Sequence, residues 1–371
     1  MMIWNLKSPE RIIYGKNESE KIDILKFIFA IYVVYIHSRT LPTVDAIDGE
    51  LINCLKYIFT ELIPRCAVSG FYFLSAYLLY RKPLNTKNNL KKKIKTLMVP
   101  YFVINTIWIL IFAICQNISV LANMFGDKQH MVSQFTFVQW LQAYGVLAEQ
   151  PFVYPLWFLR NLFLLNCLAQ GIKKIIDKIP YISFIVCMFS FFFINYNGIY
   201  VHTIDICCWC LGYFAVKFNV NFTRFDAYKN IIKVLYIGSI AISLIAYLRF
   251  DMCFIVGLVL ERFRIMLGIL FAYTSIAPAL KAYFPKILSI AKYSFGIYLF
   301  HERFLTFTIR ILGKLFGGGF KVQLFQYTLF PIFFTLIIMS GIKGLEVFFP
   351  SFYAFIMGGR KNRGETVRKL G

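Results

Sequence analysis

An almost unbroken apolar stretch that still carries ionisable side chains is the feature that most constrains this chain. It extends from Asp23 to Thr40 with the sequence DILKFIFAIYVVYIHSRT. A helix that crosses the hydrocarbon core of a bilayer needs about 20 such residues. An Asp or Lys in hydrocarbon costs at least about 2.5–3.5 kcal/mol on insertion scales. Asp23, Lys26 and His37 therefore need either a function or a route to the membrane surface.

The rest of the chain repeats this apolar pattern. Of its 371 residues, 59% are hydrophobic and only 16% are charged, whereas soluble domains carry about 25% charged residues. The pattern predicts an all-α, polytopic membrane bundle of about ten helices, in which residues 1–371 form a single membrane-embedded domain. The expected spans are 22–40, 61–80, 96–116, 153–171, 182–197, 199–217, 231–249, 262–280, 287–312 and 324–348.

The positive charge of the chain indicates its topology. There are 40 basic and 18 acidic residues, a net charge of +22, and the segment Arg81–Lys95 contains basic residues but no acidic one. A cytoplasmic N-terminus places this segment and the other basic segments on the cytoplasmic side, as the positive-inside rule requires. We therefore expect both termini to be cytoplasmic, with 1–21 as an N-terminal segment, 350–371 as a basic tail and no nucleic-acid partner. The other basic segments are 173–178, 217–233, 281–292 and 360–369.

The nine cysteines mostly lie in apolar segments, and none has a zinc-type spacing to a histidine. Buried free thiols and no metal site are therefore expected. The first apolar segment lacks a small-residue cleavage site, which indicates a retained anchor. The stretch 117–152 is too short and too apolar for a soluble domain, and its sequence FTFVQWLQAYGVL predicts an interfacial helix.

Lys26 and His37 are predicted to lie on one face of the first helix. Eleven positions at 100° each end about 20° past three full turns, and they separate the two residues by about 16.5 Å along the axis. Asp23 precedes Lys26 by three positions, which allows the two side chains to pair. The stripe would connect an ion pair near the cytoplasm with an imidazole near the outer surface. The alternative is snorkelling, in which each polar group reaches its nearest interface.

The second span combines small residues with one arginine. Ser69, Gly70, Ser75 and Ala76 form a small-residue face, which favours close helix packing. Arg65 lies near the outer end of the span, and we interpret it as a functional residue.

Two later spans also carry charged groups. Arg160 lies about a turn inside the fourth span, where an arginine needs a partner or a water-filled cavity. His301, Glu302 and Arg303 fall near the middle of the ninth span. Glu302 and Arg303 point about 100° apart on a helix, so we expect that they do not simply neutralise each other. Polar groups on at least four spans together indicate a cavity that water or substrate enters.

The residues of this cavity are compatible with two classes of function, group transfer and proton-coupled transport. A neutral imidazole can take a proton from a hydroxyl group, and nearby arginines can bind an anionic donor or stabilise an oxyanion. This combination fits group transfer to a hydroxyl. Intramembrane His, Glu and Arg also build proton relays, so proton-coupled transport fits equally well.

Four segments of the chain, in order, resemble the acyltransferase 3 family of bacterial membrane acyltransferases. That family begins its first helix with a pattern like D-x-L-R followed, after ten intervening residues, by His, and here Lys26 stands in the position of the arginine. Ala76 replaces the glycine of a usual Ser-Gly pair. The segments are DILKFIFAIYVVYIHS, AVSGFYFLSAYLLY, PLWFLRNLFLLN and YSFGIYLFH.

The resemblance implies an O-acyltransferase of the bacterial cytoplasmic membrane. Acetyl-CoA, or another acyl-CoA, would be the co-substrate on the cytoplasmic side, and no bound cofactor is implied. The acceptor would be a hydroxyl of an envelope polysaccharide or lipid-linked glycan at the outer face. By position, His37 would be catalytic and Lys26 its motif partner, while the substrate- or donor-binding residues would be Asp23, Arg65, Arg160, His301 and Glu302.

The departures from the family pattern raise one question about Lys26. A lysine lacks the planar, bidentate donors of an arginine, although it keeps the cation. We also expect no fused outer domain. The alternative function is a saccharide transporter or flippase that uses the same cavity, but the two halves of the chain show no self-similarity of the kind common in transporters. A structural or sensory subunit would leave Arg160 and His301 without a role.

Overall fold

The structure is a computed structural model that describes residues 15–38, 49–84, 86–119, 131–147, 150–249 and 253–360. Helices form nearly all of it, and these residues contain no β-strand; Tyr144 and Pro151 form an isolated bridge. The all-α prediction is thus confirmed. The helices are α1 (Lys16–His37), α2 (Glu50–Tyr57), α3 (Cys66–Tyr80), α4 (Thr86–Lys93), α5 (Val99–Gln116), α6 (Phe137–Ala143), α7 (Trp157–Lys178), α8 (Pro180–Phe193), α9 (Thr203–Lys217), α10 (Lys229–Arg249), α11 (Phe254–Phe271), α12 (Ala277–Tyr283), α13 (Ile287–Ala291), α14 (Ser294–Phe316), α15 (Phe320–Thr328), α16 (Phe330–Phe348) and α17 (Pro350–Ile356).

Several of these helices are long and apolar enough to cross a membrane. Within the described residues four segments qualify, and a fifth is formed if α7 and α8, bent by 116° at a short break, count as one span. The prediction of about ten spans with cytoplasmic termini stays a prediction. Residues 1–14 and 361–371 lie outside the described part of the chain. The four segments are Glu50–Tyr80, Asn88–Gln116, Phe222–Arg249 and Phe330–Phe348.

The helices group into two compact units. The first comprises the described residues up to 84 together with 169–196 and 202–342. The second comprises the described residues of 85–168, 197–201 and 343–360. This grouping does not test the prediction that the chain forms a single domain.

Helix α1 is the core of the first unit. It packs against α3, α12, α13 and α14, and most of its residues from Ile22 to Tyr35 are buried. An apolar helix surrounded by other helices on nearly all sides is buried all round. Some polar side chains of α1 are held by residues of other segments, as in the pairs of Glu18 with Arg81 and of Lys21 with Asp226.

Small residues allow close helix approaches in the first unit. A β-carbon added at Gly212 of α9 would lie 2.9 Å from the Ala76 side chain of α3, and one at Gly70 would overlap the Phe29 ring of α1. Such small residues let helix backbones come close together. The packing interpretation of Gly70 and Ala76 is thereby confirmed.

Three helical segments widen into a π-helix in the same local sequence, a threonine followed four residues later by a proline. The π-segments are Ile58–Leu62, Ile94–Met98 and Ala272–Ile276. A proline removes the hydrogen bond to the carbonyl four residues earlier and its ring crowds that carbonyl, and local π-turns absorb this in membrane helices. In each case the threonine hydroxyl donates to the carbonyl four residues before it, at 2.8–2.9 Å. The pairs are Thr60 and Pro64, Thr96 and Pro100, and Thr274 and Pro278.

Two smaller expectations can be compared with the structure. A helix, α6, forms in the segment predicted to be interfacial, capped by reciprocal hydrogen bonds between Thr136 and Gln139, with an exposed Phe137; its position at the membrane interface stays a prediction. The thiols are free, as expected, but only some are buried. The buried ones are Cys66, Cys187, Cys207 and Cys208, whereas Cys167 and Cys253 are exposed.

Candidate active site

Two histidines from distant parts of the chain meet in the first unit. His37 is the last residue of α1, and His301 lies in the eighth position of α14. Their ring centroids are 5.1 Å apart and the ring planes are tilted by 54°. The sequence indicated each histidine separately, and the packing of α1 against α14 joins them.

The hydrogen bond of His301 fixes its tautomer. Its Nδ1 lies 2.7 Å from the Tyr298 carbonyl oxygen, which can only accept, so Nδ1 carries the proton. In the neutral ring, Nε2 then has the lone pair. His301 is completely buried, and its Nε2 has no hydrogen-bond partner among the described residues. Since Nε2 has no partner, it can accept a hydrogen bond from a donor group close to His37.

The end of α1 is held by α15. The Gln326 side-chain amide donates to the Ser38 carbonyl at 2.7 Å, and the Tyr35 hydroxyl donates to the Thr328 carbonyl at 2.6 Å. These bonds satisfy a carbonyl at the helix end and orient the last turn. His37 is therefore presented from a fixed backbone, which is what precise positioning of a catalytic group requires.

The predicted ion pair at the other end of the stripe is present. Lys26 Nζ lies 2.9 Å from Asp23 Oδ1, and both side chains are partly exposed. Because α1 is uninterrupted from Lys16 to His37, the eleven-residue spacing does place Lys26 and His37 on one face. Ala30 and Val33 lie between them on that face and are buried, so packed side chains separate the two polar ends of the stripe.

Arg65 is engaged by two acidic residues. Its Nη1 lies 3.2 Å from Glu61, and its Nε lies 3.4 Å from Glu261 of α11. The arginine thus joins the start of α3 to α11, and it is about half exposed. Its predicted role in substrate binding stays a prediction.

The expectation for Glu302 and Arg303 was wrong. Arg303 Nε lies 3.3 Å from Glu302 Oε2, so the two neighbours form an ion pair. The 100° between their Cα–Cβ bonds is overcome because both side chains are long and flexible and can curve toward each other. The binding role proposed for Glu302 stays a prediction.

Arg160 has a network of its own in the second unit. Its Nη1 donates to the Gly145 carbonyl at 2.8 Å and its Nη2 to the Ile199 carbonyl at 2.7 Å, while the guanidinium lies 4.5 Å from the centroid of the Tyr200 ring. Gly145 has a φ of +66°, which favours glycine, and a β-carbon there would press on Arg160. The partner that a membrane arginine needs is thus supplied by the backbone. Its predicted binding role stays a prediction.

One polar pair escaped the sequence reasoning. His202 Nδ1 lies 2.8 Å from the buried carboxylate of Asp205, at the first turn of α9. The signal was a histidine three positions before an acid at the start of an apolar helix, a local spacing that permits contact. The described residues contain no cluster of three His, Cys, Asp or Glu side chains that could hold a metal ion.

Comparison with known proteins decides the family. Residues 19–342 match a family described as "Acyltransferase domain". The chain belongs to the acyltransferase 3 family. All four segments that carried the resemblance lie inside the matched range, so the acyltransferase 3 interpretation of the sequence is confirmed.

A relative within the curated proteins extends this comparison. The chain is 22% identical over 218 residues to the succinoglycan biosynthesis protein ExoH of Rhizobium meliloti (strain 1021). The match covers 57% of this chain and 58% of that relative, little more than half of its length. No solved structure matches the chain.

Proposed function

We propose that this protein is a membrane O-acyltransferase. It moves an acyl group, most simply acetyl, from an acyl-CoA on the cytoplasmic side of the bacterial cytoplasmic membrane to a hydroxyl of an envelope polysaccharide or lipid-linked glycan at the outer face. Membership of the acyltransferase 3 family and the similarity to a succinoglycan biosynthesis protein support this reaction class.

The observation that carries the proposal is the approach of His37 and His301 to 5.1 Å between ring centroids. His37 is the base. It lies at the C-terminal end of α1, where the helix dipole favours a positively charged imidazolium. His301 is a positioning residue, because its unpartnered Nε2 can accept a hydrogen bond from the protonated His37 ring.

The reaction is a single displacement. The acceptor hydroxyl gives its proton to His37 as its oxygen bonds to the thioester carbonyl carbon. The carbon–sulfur bond then breaks, and the proton passes from His37 to the CoA sulfur, which leaves as the thiol. The products are an O-acyl ester and free CoA, and His37 returns to its neutral form.

The Asp23–Lys26 pair is the donor end of this arrangement. Lys26 is about one third exposed and so can reach an arriving ligand. A cation there attracts the phosphates of a CoA molecule, while Asp23 keeps the lysine side chain oriented in the absence of a donor. Lys26 thus takes the place of the family's arginine as a point charge.

Replacement of the base tests the proposal directly. In membranes supplied with labelled acetyl-CoA and the acceptor glycan, His37→Ala should lower acyl transfer by about 10²–10⁴-fold, the usual contribution of a general base. His202→Ala is the matched control, since His202 belongs to a separate pair with Asp205. It should retain most of the transfer at equal expression. Full activity of His37→Ala would remove His37 from the mechanism.

Glycan mass spectrometry separates acyl transfer from transport. Surface glycans from cells with the protein should be heavier by one acyl group per modified unit than those from cells without it. Loss of the whole polymer from the surface in cells without the protein would instead indicate a saccharide transporter and contradict the proposed reaction.

A further inference from the structure

A group of basic side chains, here called the basic cluster, lies in the second unit. Its members are Lys91, Lys92, Lys93, Lys95 and Arg360. Lys91, Lys92 and Lys95 are exposed, and Lys93 and Arg360 are partly exposed. Within the described part of the chain, none of the four lysines forms an ion pair with a carboxylate, unlike the paired lysines of α1. The cluster therefore presents accessible positive charge.

The fold assembles this cluster from two distant segments. After α17 the chain turns back through Gly358 and Gly359, whose φ values of +66° and +67° favour glycine. A β-carbon added at Gly358 would overlap the Lys95 carbonyl oxygen, and one at Gly359 would lie 2.9 Å from Lys95 Nζ. Arg360 Nη2 then donates to the Thr96 carbonyl at 3.0 Å. The turn thus fixes Arg360 beside Lys95.

Positive charges gathered in this way repel one another. Lys93 lies close enough to Arg360 and Lys92 for both of their charges to act on it. Like charges at short range raise the free energy of the protein. An anionic group bound among them replaces this repulsion with charge-assisted hydrogen bonds. The basic cluster therefore fits an anionic ligand.

The position of the cluster indicates the source of the anion. The 18 residues of α5 contain no charged side chain. At 1.5 Å per residue they are about 27 Å long, close to the thickness of about 30 Å of a bilayer's hydrocarbon core. They belong to the segment Asn88–Gln116, which is apolar enough to cross a membrane. A span of this length places the preceding lysines at the level of the lipid phosphates.

Exposed apolar side chains adjoin the cations. Ile94 lies between Lys93 and Lys95 in the chain, and Phe352 and Phe355 belong to α17, just before the glycine turn. Each of these three apolar side chains is about half exposed, and α17 packs against α5. A small soluble anion leaves such side chains in contact with water, whereas the acyl chains of a lipid cover them.

We propose that the basic cluster binds the phosphate of an anionic bilayer phospholipid, whose acyl chains lie against Ile94, Phe352 and Phe355. A zwitterionic lipid brings a cationic group together with its phosphate, so the cluster attracts it less. Clusters of basic residues beside a membrane span attract anionic lipids in this way. The site uses none of the residues that carry the proposed acyl transfer.

Photo-crosslinking tests this site without reliance on acyl transfer. The full chain is reconstituted in phosphatidylcholine vesicles at physiological salt, with a trace of a lipid that carries a diazirine near the ester end of one acyl chain. The trace lipid is either phosphatidylglycerol or phosphatidylcholine with the same chains. After illumination, peptide mass spectrometry should find adducts on residues 88–98 and 350–360, at least about fivefold more with phosphatidylglycerol. Both leaflets contain the probe, so the orientation of the protein does not affect the result.

Two double variants with the same loss of charge show whether the assembled cluster is responsible. Lys92→Gln with Lys95→Gln should abolish most of the preference for phosphatidylglycerol. The matched control is Lys229→Gln with Lys233→Gln, which removes two exposed lysines from α10. It should keep the preference at residues 88–98 and 350–360. All four positions are exposed, so the substitutions leave buried packing unchanged.

Four outcomes would overturn the proposal. The first is an equal yield of adducts from the two probes in the wild type, which needs no variant to fold. The second is a folded Lys92→Gln, Lys95→Gln protein that keeps the preference. The third is an equal loss in the α10 control, which would indicate only the net charge of the protein. The fourth is displacement of the phosphatidylglycerol adducts by acetyl-CoA or inorganic phosphate at matched ionic strength, which would assign the cluster to a soluble phosphate.

Discussion

At the scale of single residues, the two histidines have different surroundings, and the proposed mechanism gives them different tasks. His37 is partly exposed at a helix end, so it can meet a substrate. His301 is fully buried, with one nitrogen fixed by the Tyr298 carbonyl. In the proposed mechanism His301 does not touch the substrate. It acts through His37, by orienting the His37 ring and accepting a hydrogen bond from it once that ring is protonated.

Substitution of His301 should therefore lower kcat and leave the KM for acetyl-CoA unchanged. We expect His301→Ala to reduce kcat by about 10–100-fold, the range of a positioning partner of an essential group. His301→Gln keeps an acceptor in the side chain and should restore part of the rate. Steady-state kinetics on purified, folded protein measures both quantities. An equal loss in the two variants, or a rise in KM alone, would contradict the positioning role.

Lys26 should act on the donor instead. Lys26→Met is expected to raise the KM for acetyl-CoA by about tenfold or more, because a charge-assisted hydrogen bond contributes about 1.5–3 kcal/mol. Lys26→Arg should bind the donor at least as well as the wild type, since arginine adds planar donors at the same place. The measurement is the donor dependence of the initial rate. An unchanged KM in Lys26→Met would remove Lys26 from the donor site.

At this scale the sequence could predict contacts between residues close together in the chain, but not contacts between distant ones. The Asp23–Lys26 pair follows from a local spacing on a regular helix and was predicted. The contact of Arg65 with Glu261 joins residues 196 positions apart, and no local pattern specifies it. Glu302 and Arg303 were misjudged although they are adjacent, because helical angles describe where a side chain begins and not where its charged end lies.

At the scale of helices, the threonine–proline pairs explain where the regular hydrogen bonding changes. Thr96 and Pro100 are the clearest case. Pro100 has no backbone N–H to donate to the Thr96 carbonyl, and this carbonyl accepts a hydrogen bond from Arg360 Nη2 at 3.0 Å instead. An arginine distant in sequence thus replaces the missing backbone donor, as membrane proteins require. The sequence carried this signal three times, but only the structure showed what each pair does.

A double-mutant cycle tests this replacement. Arg360→Ala should lower the free energy of unfolding by about 1–3 kcal/mol, because a partly buried carbonyl loses its donor. In Pro100→Ala the new backbone N–H can donate to Thr96, so Arg360→Ala should then cost clearly less. SDS titration of the protein in mixed micelles gives these energies, and the coupling is the deviation from additivity. Strict additivity would show that Arg360 and Pro100 act independently.

At the scale of the whole molecule, composition established the class and charge indicated the orientation. Apolar helices and the family match support a multi-pass membrane protein. The number of spans could not be settled from hydropathy, because α1 and α14 carry the charged and polar residues of the proposed site. Polar residues lower the mean hydropathy of a membrane helix, so a helix that carries a functional site is harder to identify from composition than a purely apolar one.

Thiol labelling should reveal the orientation. Cys253 is exposed just before α11, in a loop expected outside. In spheroplasts, a membrane-impermeant maleimide should label the wild type clearly more than Cys253→Ser, in which the partly exposed Cys54 still lies in a loop expected outside. In that background Lys91→Cys, in the basic segment, should react only after lysis. Labelling of Lys91→Cys in intact spheroplasts, with none of Cys253, would reverse the predicted topology.

The ion pair between Lys21 and Asp226 has a consequence for biosynthesis. Its two residues are 205 positions apart, and Lys21 is almost fully buried in the finished protein. At about 5–20 residues per second, translation delivers Asp226 about 10–40 s after Lys21. During that interval Lys21 lacks the carboxylate that later neutralises it. The N-terminal end of α1 therefore reaches its final ion pairing only after more than half of the chain has been made, and a mutation at Asp226 would leave Lys21 without this partner in the finished protein.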